Sequence, residues 1–364
     1  MKLTRAGALL ALALAATIAS GCGASGGGDK AGGTAGSPVV LRMASATSDL
    51  SNSLPVADFI RRIRVLSGGT VRIKVISQWG DYAPNNEAQV VHAVAAGTVD
   101  LGWAGSEAFD VVGVPGLRAL SAPMLIDSYP LENAVLKTAL PMRMLAGLSR
   151  VHVTGLAVLG DSLRHPVAVR RALLAPADWR GLSIGTYRSG VQEQAIRALG
   201  ATPVVAFGPY RIHDLATGAI QGFELDLPRY VHVVSPSSAR YVTANVVLWP
   251  LFDVLFANPA QLAALTAQQR GWLLKAANDA ARTSVTLVAR QNGSYIKQAC
   301  AMGGRLATAT PADLTALHRS LSVVYRSLDR DPQTRAFIGQ IQQLKKSTPP
   351  GPAPAIPADC AARR

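Results

Sequence analysis

The sequence predicts an α/β fold in which two α/β halves face each other and a helical C-terminal region follows. Segments of apolar period 2 alternate with segments of helical period from residue 38 to about 225, the pattern of parallel sheets flanked by helices. After Asn258 the helical period persists alone. The 364 residues are 49% hydrophobic and 16% charged, enough for about two domains with sizeable cores and too apolar for wholesale disorder. Aromatics make up only 5%, so burial must rest on Ala, Val, Leu and Ile.

Residues 38–45 read as the first strand. Leu54–Leu66 sets Val56, Phe59, Ile60 and Ile63 at helical spacing and stops at Gly68-Gly69. Val71–Val75 alternates as a half-buried strand, a helix runs from about Asn86 to Ala96, and Val99–Trp103 is a short strand. A helix over 131–147 precedes a strand over 151–159, which leads into Gly160-Asp161-Ser162. The second half gives strands at Leu182–Ile184, Pro203–Phe207 and Ile220–Leu225, with helices at Gly190–Leu199 and Tyr210–Ala216 between them. Thr266 caps a long helix reaching about Met302, Thr310-Pro311-Ala-Asp313 starts another, and Asp331-Pro332 starts the last. Ligands of open α/β sheets sit beyond strand C-termini, so two facing halves make a cleft.

Ahead of the folded part, Lys2 and Arg5 precede an apolar stretch over 6–19, too short to span a membrane. Ala19-Ser20-Gly21-Cys22 then resembles the lipobox of bacterial lipoproteins, in which the leader is cut before a Cys that is acylated. Residues 1–21 are thus expected to be a signal peptide and Cys22 a lipid anchor. The Gly-rich stretch that follows, to residue 37, is expected to be a flexible tether. No other stretch reaches 18 apolar residues. At the far end, Ser347–Asp359 holds five prolines and is expected to be extended and loosely attached.

The net charge is +14, and +12 over residues 22–364 once Lys2 and Arg5 are set aside. The arginines are dispersed (Arg61, Arg62, Arg64, Arg143, Arg150, Arg170, Arg171, Arg282, Arg290), with no basic run and no aromatic interleaving, which argues against a nucleic-acid partner. No phosphate-binding loop, dinucleotide fingerprint or zinc-protease motif occurs, and the six His never form a ligand-spaced pair, so no cofactor and no metal are expected. With Cys22 acylated, Cys300 and Cys360 remain as an even pair in an oxidising compartment and are expected to bond. Gly160-Asp161-Ser162-Leu163 resembles the nucleophile block of GDSL-type esterases. That family carries its block on the first strand with an Asp-x-x-His pair near the C-terminus, and no Asp-x-x-His occurs here.

A broader resemblance runs from about 40 to 305. Leu41-Arg-Met-Ala-Ser, Ser67-Gly-Gly-Thr-Val-Arg-Ile-Lys-Val, Ala95-Ala-Gly-Thr-Val-Asp100-Leu-Gly-Trp103, Asp178-Trp-Arg-Gly181-Leu-Ser-Ile, Ala198-Leu-Gly-Ala-Thr-Pro203 and Leu215-Ala-Thr-Gly218-Ala-Ile-Gln-Gly222-Phe-Glu224 together resemble TRAP-transporter solute-binding proteins of the DctP type. The resemblance implies a two-lobed periplasmic-binding-protein fold with a hinge and a long lobe-spanning helix. The expected division is lobe I over 38–162 and about 251–285, lobe II over 163–250, C-terminal helices over 286–346 and a Pro-rich tail over 347–364. It also implies a monomeric, non-enzymatic protein outside the cytoplasm, which captures a small anionic solute and hands it to multi-span membrane transporter subunits. An ABC importer or a sensor is the alternative recipient.

In that family an Arg fork pairs with the solute carboxylate, since a planar guanidinium matches carboxylate geometry and keeps its proton. The usual position, after Gly-Leu-x-Ile, is Gly185 here. A second family Arg matches Arg164, which becomes the expected anchor, with Arg188 beside Tyr187 as helper. The family's Gly-x-x-Asp-Gly-x-Glu has Gln221 in place of its Asp and retains Glu224. Loops after strands add Trp79, Tyr82, Trp103, Glu107, Asp161 and Phe207 as cleft candidates.

The lipobox generates a direct test. Cys22→Ser should release the protein from bacterial membranes into the soluble fraction, while wild type fractionates with lipid and carries an acylated Cys22 by mass spectrometry.

Overall fold

The computed structural model describes residues 38–51 and 53–362, so the expected leader, Cys22 and the tether lie outside the described residues. In chain order the strands are β1 (Val39–Ala44), β2 (Val71–Ile76), β3 (Leu101–Gly105), β4 (Thr154–Ala168), β5 (Ser183–Thr186), β6 (Thr202–Val205), β7 (Gly222–Asp226), β8 (Tyr241–Thr243), β9 (Trp249–Ala257) and β10 (Arg305–Ala307). The helices are α1 (Leu54–Leu66), α2 (Asn86–Ala95), α3 (Tyr129–Leu136), α4 (Leu140–Leu145), α5 (Gly190–Ala198), α6 (Pro209–Thr217), α7 (Pro259–Ala264), α8 (Ala267–Ala301), α9 (Pro311–Leu328) and α10 (Pro332–Ser347).

One sheet runs through both halves in the order β2-β1-β3-β9-β4-β7-β5-β6, with β8 joining β4 to β10. It is mixed, not parallel throughout as the alternation suggested. β9 runs antiparallel to β3 and β4, and β4 runs antiparallel to β7 and β8. The strand expected over 151–159 starts later and continues to Ala168. Its first part pairs with β9 and its last part with β7. The register shifts between Gly160 and Leu163, where Gly160 N–H leaves the ladder and donates to Ser284 Oγ of α8 at 3.0 Å. A Cβ at Gly160 would lie 2.5 Å from Val285 Cγ2, so only glycine lets α8 approach β4 this closely.

α8 opens on a capping box, in which Thr266 Oγ1 accepts Gln269 N–H and Gln269 Oε1 accepts Thr266 N–H. Its 35 residues make a rod of about 50 Å at 1.5 Å per residue. Near its start Leu273, Ala276, Ala277 and Ala280 pack into the core with Met43, Phe59 and Leu255. Near its end Ile296 and Ala299 pack into a separate core with Val167, Phe223 and Leu225. One helix therefore ties the two ends of the sheet together.

Two local expectations are corrected. The helix over 131–147 is two helices, because Pro141 disfavours helical geometry at the residue before it and Thr138 Oγ1 accepts Leu140 N–H at 3.1 Å. The Pro-rich tail is extended, as its prolines dictate, but it is not loose. Cys300 and Cys360 are joined by a disulfide, Ala362 N–H donates to Leu306 O at 2.8 Å, and Ile356 packs against the second core.

That tie should be measurable. Closing a 60-residue step contributes up to about 4 kcal/mol in the chain-entropy picture. Cys360→Ser should lower the denaturant midpoint accordingly, and unreduced denatured protein should leave Cys300 and Cys360 unreactive to alkylation.

Candidate functional site

Because β4 continues past Gly160, Arg164 sits inside the sheet and not on a loop, fully buried and across from Asp226 of β7. A guanidinium with no access to water needs negative charge against it. Glu224 of β7 supplies most of it, its Oε2 lying 2.5 Å from Arg164 Nε, while Arg164 Nη2 donates to Glu224 O at 3.3 Å. Glu107, just past β3, lies 3.7 Å from Nη1, and the guanidinium stacks on the Tyr187 ring at 4.1 Å. The Glu107 carboxylate leans over Gly105, where a Cβ would come within 2.5 Å of Oε2. Despite these distances, Arg164 Nε and Nη1, Glu107 Oε1 and Glu224 Oε2 make no well-directed hydrogen bond. The centre holds donors and acceptors whose directions are unmet.

Above it lies a cleft of about 300 Å³, counted out to its mouth, between Asn86, Glu87 and Ala108 on one side and Tyr187, Arg188, Val205 and Phe207 on the other. Tyr187 and Phe207 meet edge-on at 5.1 Å, and Tyr82 stands 6.1 Å from Phe207. Arg188 is exposed at the mouth, so its charge is solvated. Arg211 is buried instead, 5.4 Å from the Tyr187 ring and 5.7 Å from Phe223, donating to Ala206 O at 3.2 Å. At Gly185 a Cβ would stand 3.0 Å from Ile220 Cδ1 and 3.3 Å from Phe223 Cβ, so the family's usual Arg position is filled by packing.

The structure thus gathers Arg164, Glu107, Glu224 and Tyr187 at one centre, with Phe207 and Arg188 on its cleft. It separates the other candidates. Trp103 is a core residue with Phe59 and Leu273, and Trp79 is half-buried against the first core. Asp161 belongs to a second charged cluster, in which Arg229 bridges Asp226 at 2.9 Å and Asp161 at 3.5 Å and donates to Ser53 Oγ at 3.0 Å. Glu132 and Asp253 are buried near it with neither carboxylate hydrogen-bonded. Ser162 Oγ donates to Asp161 Oδ1 at 3.1 Å, and the nearby His165 spends Nδ1 on Val246 O at 2.9 Å. No imidazole reaches Ser162 among the described residues, so the base an esterase needs is missing.

Sequence reasoning did not single out Glu87, Arg211, Arg229, Glu132 or Asp253. Glu87 looks like any acid in a first helical turn, and Glu132 and Asp253 sit in apolar stretches. Arg229 had a signal: Asp226-Leu-Pro-Arg229 places an N-cap Asp and a proline before it, and Asp226 Oδ1 accepts Arg229 N–H at 3.0 Å.

Burial governs the protons here. It pushes Glu87 up to about 8, with Glu107 adding to the rise, and Glu224 up to about 7 against the pull of Arg164 and Arg211. It lifts Asp161 to about 6 against Arg229, and Glu132 and Asp253 well above the carboxylate range, with Asp161 reinforcing both. Arg164 itself is raised, since burial is outweighed by Glu224 and its neighbours.

These acids keep protons in the folded state that the unfolded chain releases, so stability should fall as pH rises from the ordinary carboxylate range through about 8. Burial depresses His165, which works the opposite way but only below its ordinary value of 6.5. Urea unfolding should therefore give lower stability at pH 8.5 than at pH 6.5. A flat or rising profile would mean that the acids are ionised in the folded protein.

Comparison with known proteins places this geometry. A family model described as bacterial extracellular solute-binding protein, family 7, matches residues 44–331. The TRAP periplasmic solute-binding protein of Ralstonia eutropha H16, with bound (S)-2-acetolactate, has a TM-score of 0.75 at 18% identity, covering 85% of this chain and 99% of that one. Its counterpart from a Bradyrhizobium, in complex with D-galacturonate, has a TM-score of 0.73 at 21% identity, covering 83% and 99%. That from Chromohalobacter salexigens, with bound D-glucuronate, has a TM-score of 0.73 at 18% identity, covering 84% and 99%. At such identities the likeness is one of fold, the two-lobed periplasmic-binding-protein fold with a helical C-terminal region. An uncharacterized protein of Sinorhizobium fredii, y4mM, is 24% identical over 210 residues, which are 57% of this chain and only 38% of that protein's length.

Proposed function

The chain belongs to family 7 of the bacterial extracellular solute-binding proteins, the solute-binding proteins of TRAP transporters, and from that premise we propose that it captures a small carboxylate-bearing solute over Arg164 and delivers it to multi-span membrane subunits. The observation that carries this reading is Arg164 itself. It is a fully buried cation at the base of a cleft, and two of its nitrogens lack directed hydrogen bonds. A solute carboxylate would complete them as a fork-to-fork pair.

Capture would proceed by closure of one lobe on the other. We take residues 38–162 and about 251–285 as lobe I and 163–250 as lobe II, bending where the register of β4 shifts between Gly160 and Leu163. Tyr187 and Phe207 would then cover the solute, excluding water and strengthening its pairing with Arg164. We assign the protein no catalytic step and read it as a monomer tethered through Cys22 outside the cytoplasm. Arg188 steers anions toward the mouth and does not anchor them.

A thermal-shift screen of organic acids, followed by calorimetry, tests this. A solute at 100 times its Kd adds about 2.7 kcal/mol of stability. Arg164→Lys keeps the charge and loses the fork, so it should bind more weakly. Arg164→Ala should lose about 2–5 kcal/mol of binding, roughly 30-fold to several thousand-fold. Arg188→Ala, on the surface, should change affinity only a few-fold. Unchanged affinity in Arg164→Ala would remove this residue from the site.

A further inference from the structure

The cleft carries more acid than a pure carboxylate site needs. Three carboxylates, Glu87, Glu107 and Glu224, share it with three guanidiniums, those of Arg164, Arg211 and the exposed Arg188. The pairing is uneven. Glu224 and Glu107 both lie within ion-pair distance of Arg164, whereas Glu87 pairs with no cation. Oε1 of Glu87 accepts one hydrogen bond, from Gly105 N–H at 3.1 Å. A bare carboxylate added to this set would leave one negative charge unmatched in a space from which closure removes water.

Resting on the reading of this cleft as the solute site, we propose that the solute also carries a protonated amino group, seated by Glu87 and the ring of Phe207, beside the carboxylate held by Arg164. A zwitterion keeps the charges of the cleft in balance. Glu87 and Phe207 both line the cavity, and Phe207, unlike Tyr187, has no guanidinium over its ring, so an ammonium group can take that face. Asn86 adds a second sign of a polar solute. It lines the same cavity at 2% exposure, and its Oδ1 accepts Glu87 N–H at 2.9 Å, which fixes the amide so that the unpartnered Nδ2 is left to donate to a solute oxygen. Glu87 holds its proton near neutrality, pushed up to about 8 by burial and then Glu107. An ammonium neighbour favours the ionised form, so binding should release a proton.

Matched acids with and without an amine provide the test: L-alanine against L-lactate, γ-aminobutyrate against butyrate, and L-norleucine against hexanoate, by thermal shift and calorimetry on the wild-type protein. The aminated partner should bind at least ten-fold more tightly in a responding pair. At pH 7 its binding heat should differ between phosphate and Tris by an amount matching proton release. Glu87→Gln, isosteric and checked for folding by its melting curve, should collapse the ratio toward one and abolish the proton release. Arg164→Ala should weaken both members. Equal or tighter binding of the amine-free acids overturns this inference and leaves the carboxylate reading standing, as does a ratio that survives in Glu87→Gln. If only carboxylate-free amines such as putrescine or choline bind, and Arg164→Ala leaves them unaffected, the carboxylate reading falls and the ammonium site stands. Silence from every acid and amine overturns both.

Discussion

Arg164 has no route to water, and a guanidinium so placed is tolerable only with carboxylates against it. Much of the architecture follows from meeting that demand. β4 must run on past Gly160 to bring Arg164 into the sheet, β7 must lie antiparallel to present Glu224, and the end of β3 must deliver Glu107. The demand also fixes small residues. Gly105 leaves room for the Glu107 carboxylate, and Gly160 lets α8 close on the strand where the register shifts. A single buried charge thus constrains strands that are distant in sequence.

β7 faces a further difficulty. Glu224 and Asp226 are two residues apart on one strand, hence on one face, and both are buried. Each has its own guanidinium, Glu224 with Arg164 and Asp226 with Arg229. The outcomes differ in sign. Asp226 accepts Arg229 N–H as well as pairing with its side chain, and those interactions hold it below the ordinary carboxylate value despite burial. Glu224 has a close but poorly directed pair, and burial prevails. Geometry, more than proximity, decides which buried acid stays ionised, and the less satisfied centre is the one beneath the cleft.

Most helices were legible because their signals are local. Leu54–Leu66 agrees with its reading to the residue, and the caps at Thr266, Thr310 and Asp331 start helices where the side chains imply. The sheet was less legible. Gly160-Asp161-Ser162 reads as a turn, yet it is the middle of a strand, because Gly160 finds its hydrogen-bond acceptor on α8, over a hundred residues away. β9, which joins the two halves, is apolar throughout and carries no alternation to mark it. The same limit applies to the site. Arg164 and Glu224 stood out through the family pattern. Glu87 and Arg211 matter only through what the fold packs around them, and nothing in their neighbouring residues carries that information.

Gly185 shows how such a cleft can be rebuilt. The family's arginine at that position would have to displace Ile220 and Phe223, which stand 3.0 and 3.3 Å from where its Cβ would be. Phe223 is one of the two rings beside which Arg211 lies, and the other is Tyr187, the ring that carries Arg164. Positive charge is therefore still present near the cleft, but it enters from the start of α6 and stands against aromatic faces. Arg211 spends Nη2 on Ala206 O, which fixes it in place. A guanidinium so held sets the potential of the cleft without offering a free fork, which leaves Arg164 as the one buried arginine on the cleft with two nitrogens still undirected. The geometry of carboxylate recognition is then narrower than in a site with two forks, and the acids around it acquire correspondingly more say in what else the solute must carry.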